Sequence, residues 1–467
     1  MKSTLILVAG LLLPCGLAAA QVINVPSDYP TIQAAIDSAQ DYDTVVIAPG
    51  TYSGSGNYNL SFRGKLITVR GTDPEDYSVV ANTVIDGQGR YRGFQFFLGE
   101  TKSSTLSGIT ITNGYATIGG AVYCFNGSSP TIKNCILQTN RGAFGGAIAC
   151  GSSLTEPTIS NCIIRENTAT VGGGGIYVNA AAPVVKNCII ALNGSPNGGG
   201  LYTHNPCQVK VQNCTIADNH ATSSAGGIYC HNGCELTVSN TIIWGNQAPY
   251  AAQIRAGSSI DNATVRLNNC DIPNSVNDVV AVGPAVVSWG QGNISSQPDF
   301  DTGGSEYHLL RGSLCINAGD PNYTPDVGET DIDGEPRLLG SHIDIGADEY
   351  LLAIAASVKI VPPKINLNAD CKWLTAFISL PEGYNVNDIE TPSLALNEKV
   401  RPSMTNLDTE NNKLLAKFYL DNVLRTIDTE AAQATILIQG NLFGGQAFDG
   451  SDTIELMQEK SKKPKSK

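Results

Sequence analysis

Residues 130–140 read "PTIKNCILQTN", and the stretch recurs as "PTISNCIIREN" (157–167), "PVVKNCIIALN" (183–193) and "VKVQNCTIADN" (209–219). Cys135, Cys162, Cys188 and Cys214 follow one another at intervals of 27, 26 and 26 residues. The register reaches back to Ile109 in "SGITITN" and forward to Thr241 in "SNTIIWGN". A second column keeps the period: Asn113, Asn140, Asn167, Asn193, Asn219 and Asn246. A third is glycine-rich, running "GGAVYC", "GGAIAC", "GGGIYV", "GGGLYT" and "GGIYC". Consecutive units in one phase define an internal repeat, which takes precedence over any other structural signal.

Each unit holds two or three short apolar runs separated by Asn or Gly, with no helical periodicity. Runs of that length suit strands, and Asn and Gly supply the positive φ that tight corners need. One unit cannot bury its own apolar face, but coils stacked about 4.8 Å apart bury it and pair every strand with two neighbours. The expected fold is all-β: a right-handed, single-stranded parallel β-helix.

The Asn-Cys pairs take their meaning from this register. Ile132 points inward, Asn134 takes the bend, and Cys135 and Leu137 point inward again. A catalytic thiol needs solvent and a nearby positive charge, which four equivalent inward positions do not offer. No Cys-x-x-Cys spacing suggests zinc. The cysteines are expected to be mostly free and buried, with Cys207 and Cys234, both in loops, the pair most suited to a disulfide.

Both ends of the repeat carry a family resemblance. "VPSDYPTIQAAIDSAQDYDTVVIAPGTY" (25–52) resembles the N-terminal segment of the pectin-lyase-like right-handed β-helix proteins. There Thr31 should cap a short helix whose Ile32, Ala35, Ile36 and Ala39 plug the open end of the core. "SLCINAGDPNYTPDVGETDIDGEPRLLGSHIDIGADEY" (313–350) resembles the acidic closing segment of many secreted bacterial members. After Tyr350 the repeat is lost, and "KWLTAFISL", "LLAKFYL" and "ATILIQG" alternate as strands of a small β-sandwich. That part resembles C-terminal accessory domains of exported proteins from planctomycete-like bacteria. The expected division is a signal peptide (1–20), the β-helix (21–350), a linker (351–358), the sandwich (359–457) and a basic disordered tail (458–467).

Composition narrows the function. Of 467 residues only 15% are charged and 42% are hydrophobic, so the chain is not of the disordered class. A net charge of −13 argues against nucleic-acid binding, which needs a basic surface. "MKSTLILVAGLLLPCGLAAA" reads as a secretory signal peptide ending in an A-x-A site, so a secreted or cell-surface location is expected. No later stretch is long and apolar enough to span a bilayer.

Chemistry is harder to place. The resemblance implies polysaccharide lyases, glycoside hydrolases or proteins without activity. Lyases would bring a basic residue, often with calcium, and hydrolases a carboxylate pair. Glu166 and Asp218, or Lys133 and Lys186, stand two coils apart, but each fits a solvated surface position better than a catalytic one. If Val122, Ile148, Ile176, Leu201 and Ile228 face the core, Tyr123, Tyr177, Tyr202 and Tyr229 face outward. Two residues on lie Phe125, Gly151, Asn179, His204 and His231. Tyr177, Tyr202, His204, Tyr229 and His231 are therefore the expected substrate-binding residues, since flat rings with polar edges suit sugar faces. Stacked tyrosines covered by loops would look the same in sequence. "DIDGE" resembles the start of a calcium loop without its remaining ligands, making Asp331 and Asp333 the candidate metal residues in an otherwise cofactor-free protein. A capping turn in which Arg337 pairs with Asp344 or Asp348 is the competing expectation. The expected activity is binding of polysaccharide or another cell-surface polymer without catalysis, the alternatives being a lyase or hydrolase on an acidic or plant-type glycan, or a structural adhesin.

Overall fold

The computed structural model describes residues 19–301, 307–350, 353–367, 372–397, 399–443 and 446–457. All but the last two residues of the expected signal peptide, and the basic tail 458–467, lie outside the described residues. The chain divides into two units, Met1–Tyr350 and Leu351–Lys467.

In the first unit strands stack one per coil into three long parallel sheets of 11, 9 and 8 strands, joined by a short fourth sheet of five. This is the right-handed parallel β-helix that the repeat implied. In the first sheet Ile132 pairs with Leu106 on one side and Ile159 on the other. The strands stop after two to five residues because the coils turn at positive-φ residues. Asn134, Asn161, Asn187, Asn213 and Asn240 hold φ of 53, 49, 51, 50 and 47°.

The inward column is as expected: Ile132, Cys135 and Leu137 are buried in one core that runs the length of the unit. Burying an isoleucine contributes about 1.5–3 kcal/mol, and the column repeats that gain at every coil. The cysteine column extends one coil beyond the expected repeat, to Cys270 after Asn269 (φ 50°), a copy visible in "LNNCDI". Cys124, Cys135, Cys150, Cys162, Cys188, Cys214, Cys230, Cys270 and Cys315 are free and buried, while a disulfide joins Cys207 to Cys234. Burial pushes the Cys135 and Cys188 thiols well above the ordinary range, so they are not poised as nucleophiles.

The asparagine column is a buried amide ladder. Nδ2 of Asn140 donates to Oδ1 of Asn167 at 3.0 Å, and the pattern repeats through Asn193 and Asn219 to Asn246. Asn113 is not its first rung. The Gly114 N–H donates to Asn140, so Asn113 stands one residue out of register at a corner, with φ 52°. The count agrees: Asn113 stands four residues after Ile109, where Asn140, Asn167, Asn193 and Asn219 each stand five after their cysteine.

Helix α1 (Ile32–Ser38) begins at Thr31, whose hydroxyl accepts from the Ala34 N–H. Its Ile32, Ala35 and Ile36, with Ala39 after it, enter the main core as a plug. A second short helix, α2 (Tyr77–Asn82), is capped by Asp76 and packs Val80 against Ile136 and Ile163 on the outside of the coils.

The acidic closing segment, residues 307–350, runs back along the flank of the β-helix as a strap. The Asp320 N–H donates to Asn240 Oδ1, Asn213 Nδ2 donates to the Tyr323 hydroxyl, and Asn187 Nδ2 donates to the Thr330 carbonyl. Asn161 Nδ2 reaches Thr330 Oγ1 at 3.1 Å and the Asp331 carbonyl. Lys186, one of the outward lysines, pairs with Asp326 at 2.8 Å.

The second unit is a small sandwich of two sheets, one of four antiparallel strands and one of five. Its strands alternate as their sequences require: Trp373–Ser379 and Lys413–Tyr419 pair antiparallel, burying Leu374, Ala376, Ile378, Leu414, Ala416 and Phe418. Ile436, Ile438 and Ile454 of the other sheet fill the same core.

Candidate functional site

The outward face of the nine-stranded sheet carries the residues expected to bind substrate. Tyr177 pairs with Tyr202 and Tyr202 with Tyr229, so the three tyrosines do form one column. Their rings, however, are only 7, 9 and 5% exposed. They belong to a second apolar cluster with Ala149 and Ala225, packed by Ile118, Tyr123 and Phe144. Ile118 and Phe144 come from the short fourth sheet, whose strands lie over the rings.

Glycine permits this cover. A Cβ on Gly172 would stand 2.1 Å from Tyr202 Cδ1, so only glycine lets the strand Thr168–Gly172 approach the ring. The glycines that signalled corners in the sequence thus also make room for aromatic faces. The tyrosine faces are spent on protein.

His204 and His231 remain half-exposed. Their rings lie 5.3 Å apart. His231 Nε2 is 2.9 Å from Asp261, and its Nδ1 is 3.3 Å from the Tyr202 hydroxyl. His204 has no hydrogen-bond partner for its ring among the described residues. Burial lowers the pKa of both imidazoles, and the Asp261 carboxylate works against it, so both rings are neutral near pH 7. Burial also raises the Tyr202 hydroxyl above its ordinary value. An Asp–His–Tyr relay is present, but its tyrosine end is covered.

The histidines continue a longer column. Strand register aligns Gly151 with Asn179 and Asn179 with His204; His231 follows in the next coil. Toward the N-terminus the column passes through Phe125 and Phe97, whose rings stack at 5.7 Å. Phe97, Phe125, Asn179, His204 and His231 are all half-exposed. Beside them Asn205 Nδ2 donates to Asn179 and Asn232 Nδ2 to Asn205, a second, outward amide ladder. Arg255, over the Tyr229 ring at 4.6 Å, ends the tyrosine column. Arg255 was legible as the register partner of Tyr229; Asp261 lies in a loop, where no repeat signal reaches it.

The residues expected to hold calcium sit in the strap. Asp331 is buried; its Oδ1 accepts from the N–H groups of Asp333 and Glu335 and its Oδ2 from that of Glu349. Asp333 lies 2.9 Å from His308. One oxygen each of Asp331, Asp333 and Glu335 falls within 4.8 Å of the others, as do ligand atoms of His308, Asp333 and Asp348. Calcium takes about 6–8 oxygens, whereas Asp331 is committed to backbone and Asp333 to a histidine.

Arg337 does not pair with Asp344 or Asp348 through their carboxylates. It is buried with Nε 3.3 Å from Glu349, while Nη2 donates to the carbonyls of Asp344 and Gly346. Asp344 and Asp348 instead accept from the Asn317, Tyr350 and Leu309 N–H groups, which suits a strap short of regular pairing.

Comparison with known proteins agrees with the architecture. The family described as "Right handed beta helix region" matches residues 162–297. No curated protein matches the chain. Among solved structures, pectate lyase Pel9A aligns at 14% identity and a TM-score of 0.41, covering 72% of this chain and 97% of its own. A pectin methylesterase from Aspergillus niger aligns at 15% identity and a TM-score of 0.26, covering 64% and 92%. The fold rests on the strand register and the family match: the first unit is a right-handed parallel β-helix. Among the described residues no helix is long and apolar enough to cross a membrane.

Proposed function

We propose that the protein is an exported β-helix protein that binds a linear polysaccharide or similar cell-surface polymer along its coils, without turning it over. The observation that carries this is the column Phe97, Phe125, Gly151, Asn179, His204 and His231. It presents flat, half-exposed side chains at the coil spacing, about 4.8 Å, interrupted at the buried Gly151, against which the Tyr123 ring lies. Aromatic faces and imidazole or amide edges supply the two contacts a sugar ring takes. Tyr177, Tyr202 and Tyr229 act from behind, fixing the strand that carries the histidines.

Absence of turnover is supported by the same stretch. His231 is held by Asp261 and Tyr202, and among the described residues Asp261 is the one carboxylate placed against it, short of the pair that glycoside hydrolysis uses. The deciding measurement is a glycan array run beside a screen for unsaturated and reducing-sugar products. Binding without products, weakened in a His204→Ala variant, supports the reading. Products that disappear in His204→Ala would replace it with catalysis.

A further inference from the structure

The strap leaves one rung of the corner ladder open. Asn161, Asn187, Asn213 and Asn240 each give their side-chain amide to the strap or to a neighbouring rung. Asn134, the same corner one coil earlier with φ 53°, has no partner for its amide among the described residues. It opens instead into a cavity of about 460 Å³ between the strap and α2. That volume is in the range of small-molecule sites, roughly 300–1,000 Å³.

The lining specifies a ligand. The floor is apolar, Ile136 and Ile163, flanked by Val80 and Ile332. Asn134 supplies a free amide. Among the described residues the charged side chains that line it are Glu75, Asp76, Asp331 and Asp333 against His308. Asp76 is committed to capping α2, Asp331 to backbone N–H groups, and Asp333 to His308, but the exposed Glu75 carboxylate has no partner among the described residues. Arg165, which bonds Gln138 and the Tyr77 hydroxyl, does not line the cavity.

A uronate would be repelled here, since like charges brought together in a partly desolvated site cost more than they do in water. A ring with one apolar face, an acceptor for Asn134 and a protonated amine for Glu75 is matched on all three sides. We propose that the cavity at Asn134 is a binding site for an amine-bearing sugar residue, separate from the histidine column. The choice of a sugar over other amines rests on the glycan reading above; the charge selection does not.

The test is calorimetric titration of the full chain with four probes: a glucosamine tetramer, its N-acetylated form, a galacturonate tetramer and a lysine tetrapeptide. The glucosamine tetramer should bind, with the other three at least about tenfold weaker, a difference of ~1.4 kcal/mol. Glu75→Gln, on an exposed side chain, and Asn134→Gly, which keeps the positive φ, should each weaken it several-fold. His204→Ala should leave it unchanged. No glucosamine binding, equal binding of the lysine peptide or the uronate, or indifference to Glu75→Gln overturns the proposal. Loss in His204→Ala alone would assign the amine to the histidine column and also overturn it. Retained glucosamine binding with an empty glycan array would sink the column and leave this site standing.

Discussion

The side-chain amide of Asn187 donates to the carbonyl oxygen of Thr330 at 2.9 Å, across 143 residues of chain. The contact fastens the strap to a corner residue whose φ of 51° already favours Asn. Two roles are therefore separable by substitution. Asn187→Gly keeps the corner and loses an amide that donates to both the Thr330 carbonyl and Glu329, and should cost about 1–2 kcal/mol, the net worth of those two bonds, the carbonyl keeping its bond from Asn161. Asn187→Ala adds left-handed strain of a further ~1 kcal/mol. Urea unfolding would give the order wild type, Gly, Ala; Ala at or above Gly would mean the corner is not strained.

Arg337 and Glu349 make a buried ion pair inside the strap, with side chains 0 and 1% exposed. Burial raises the Glu349 carboxyl to about 8, so loss of Arg337 leaves it protonated and leaves the Asp344 and Gly346 carbonyls without their donor; Arg337→Met should destabilise by about 2–4 kcal/mol. Adding Glu349→Gln should recover part of that. A double-mutant cycle showing simple additivity would mean the two side chains are not coupled.

The β-helix was legible because a period of about one coil repeats the same inward, corner and outward positions, and Cys135 read in phase with Cys162 had one meaning left. The burial of Tyr202 was not legible. It depends on Gly172, 30 residues earlier, admitting a strand of another sheet, and in sequence that glycine looks like any corner. The strap was legible as acidic and closing, but its path was not. Asn187 and Thr330 share no pattern, and only their meeting shows that the corner amides were waiting for it. Where function depends on parts outside the period, such as Asp261 or the cavity at Asn134, the repeat is silent.

The strap should respond to pH. Burial, reinforced by the Asp331 and Asp333 charges, raises the Glu335 carboxyl to about 7. Burial raises Asp348 to about 7 as well. Between roughly pH 4.5 and 7 the folded state then holds protons that the unfolded chain has released, so stability falls as pH rises through that window. Hydrogen exchange in residues 307–350, corrected for intrinsic rates, should show more protection near about pH 5.5 than about 7.5. Glu335→Gln should flatten the trend; a trend of opposite sign would mean these carboxyls are ionised in the fold.

Tyr202 and His204 sit two residues apart, and their variants should fail in different ways. Tyr202 packs 5.1 Å from the Tyr229 ring and 5.7 Å from that of Tyr177, under the strand that Gly172 lets in. Tyr202→Ala should therefore open a cavity and destabilise by about 3–5 kcal/mol. His204, half-exposed and without a hydrogen-bond partner for its ring among the described residues, should accept Ala within about 0.5 kcal/mol. If polymer lies along the column, His204→Ala weakens binding at unchanged stability. Tyr202→Ala should then lower binding only as far as it unfolds the coils, a loss that tracks the melting curve. Binding that drops in Tyr202→Ala under conditions where the fold is intact, with His204→Ala unaffected, would return the tyrosine to the binding surface and remove the histidine.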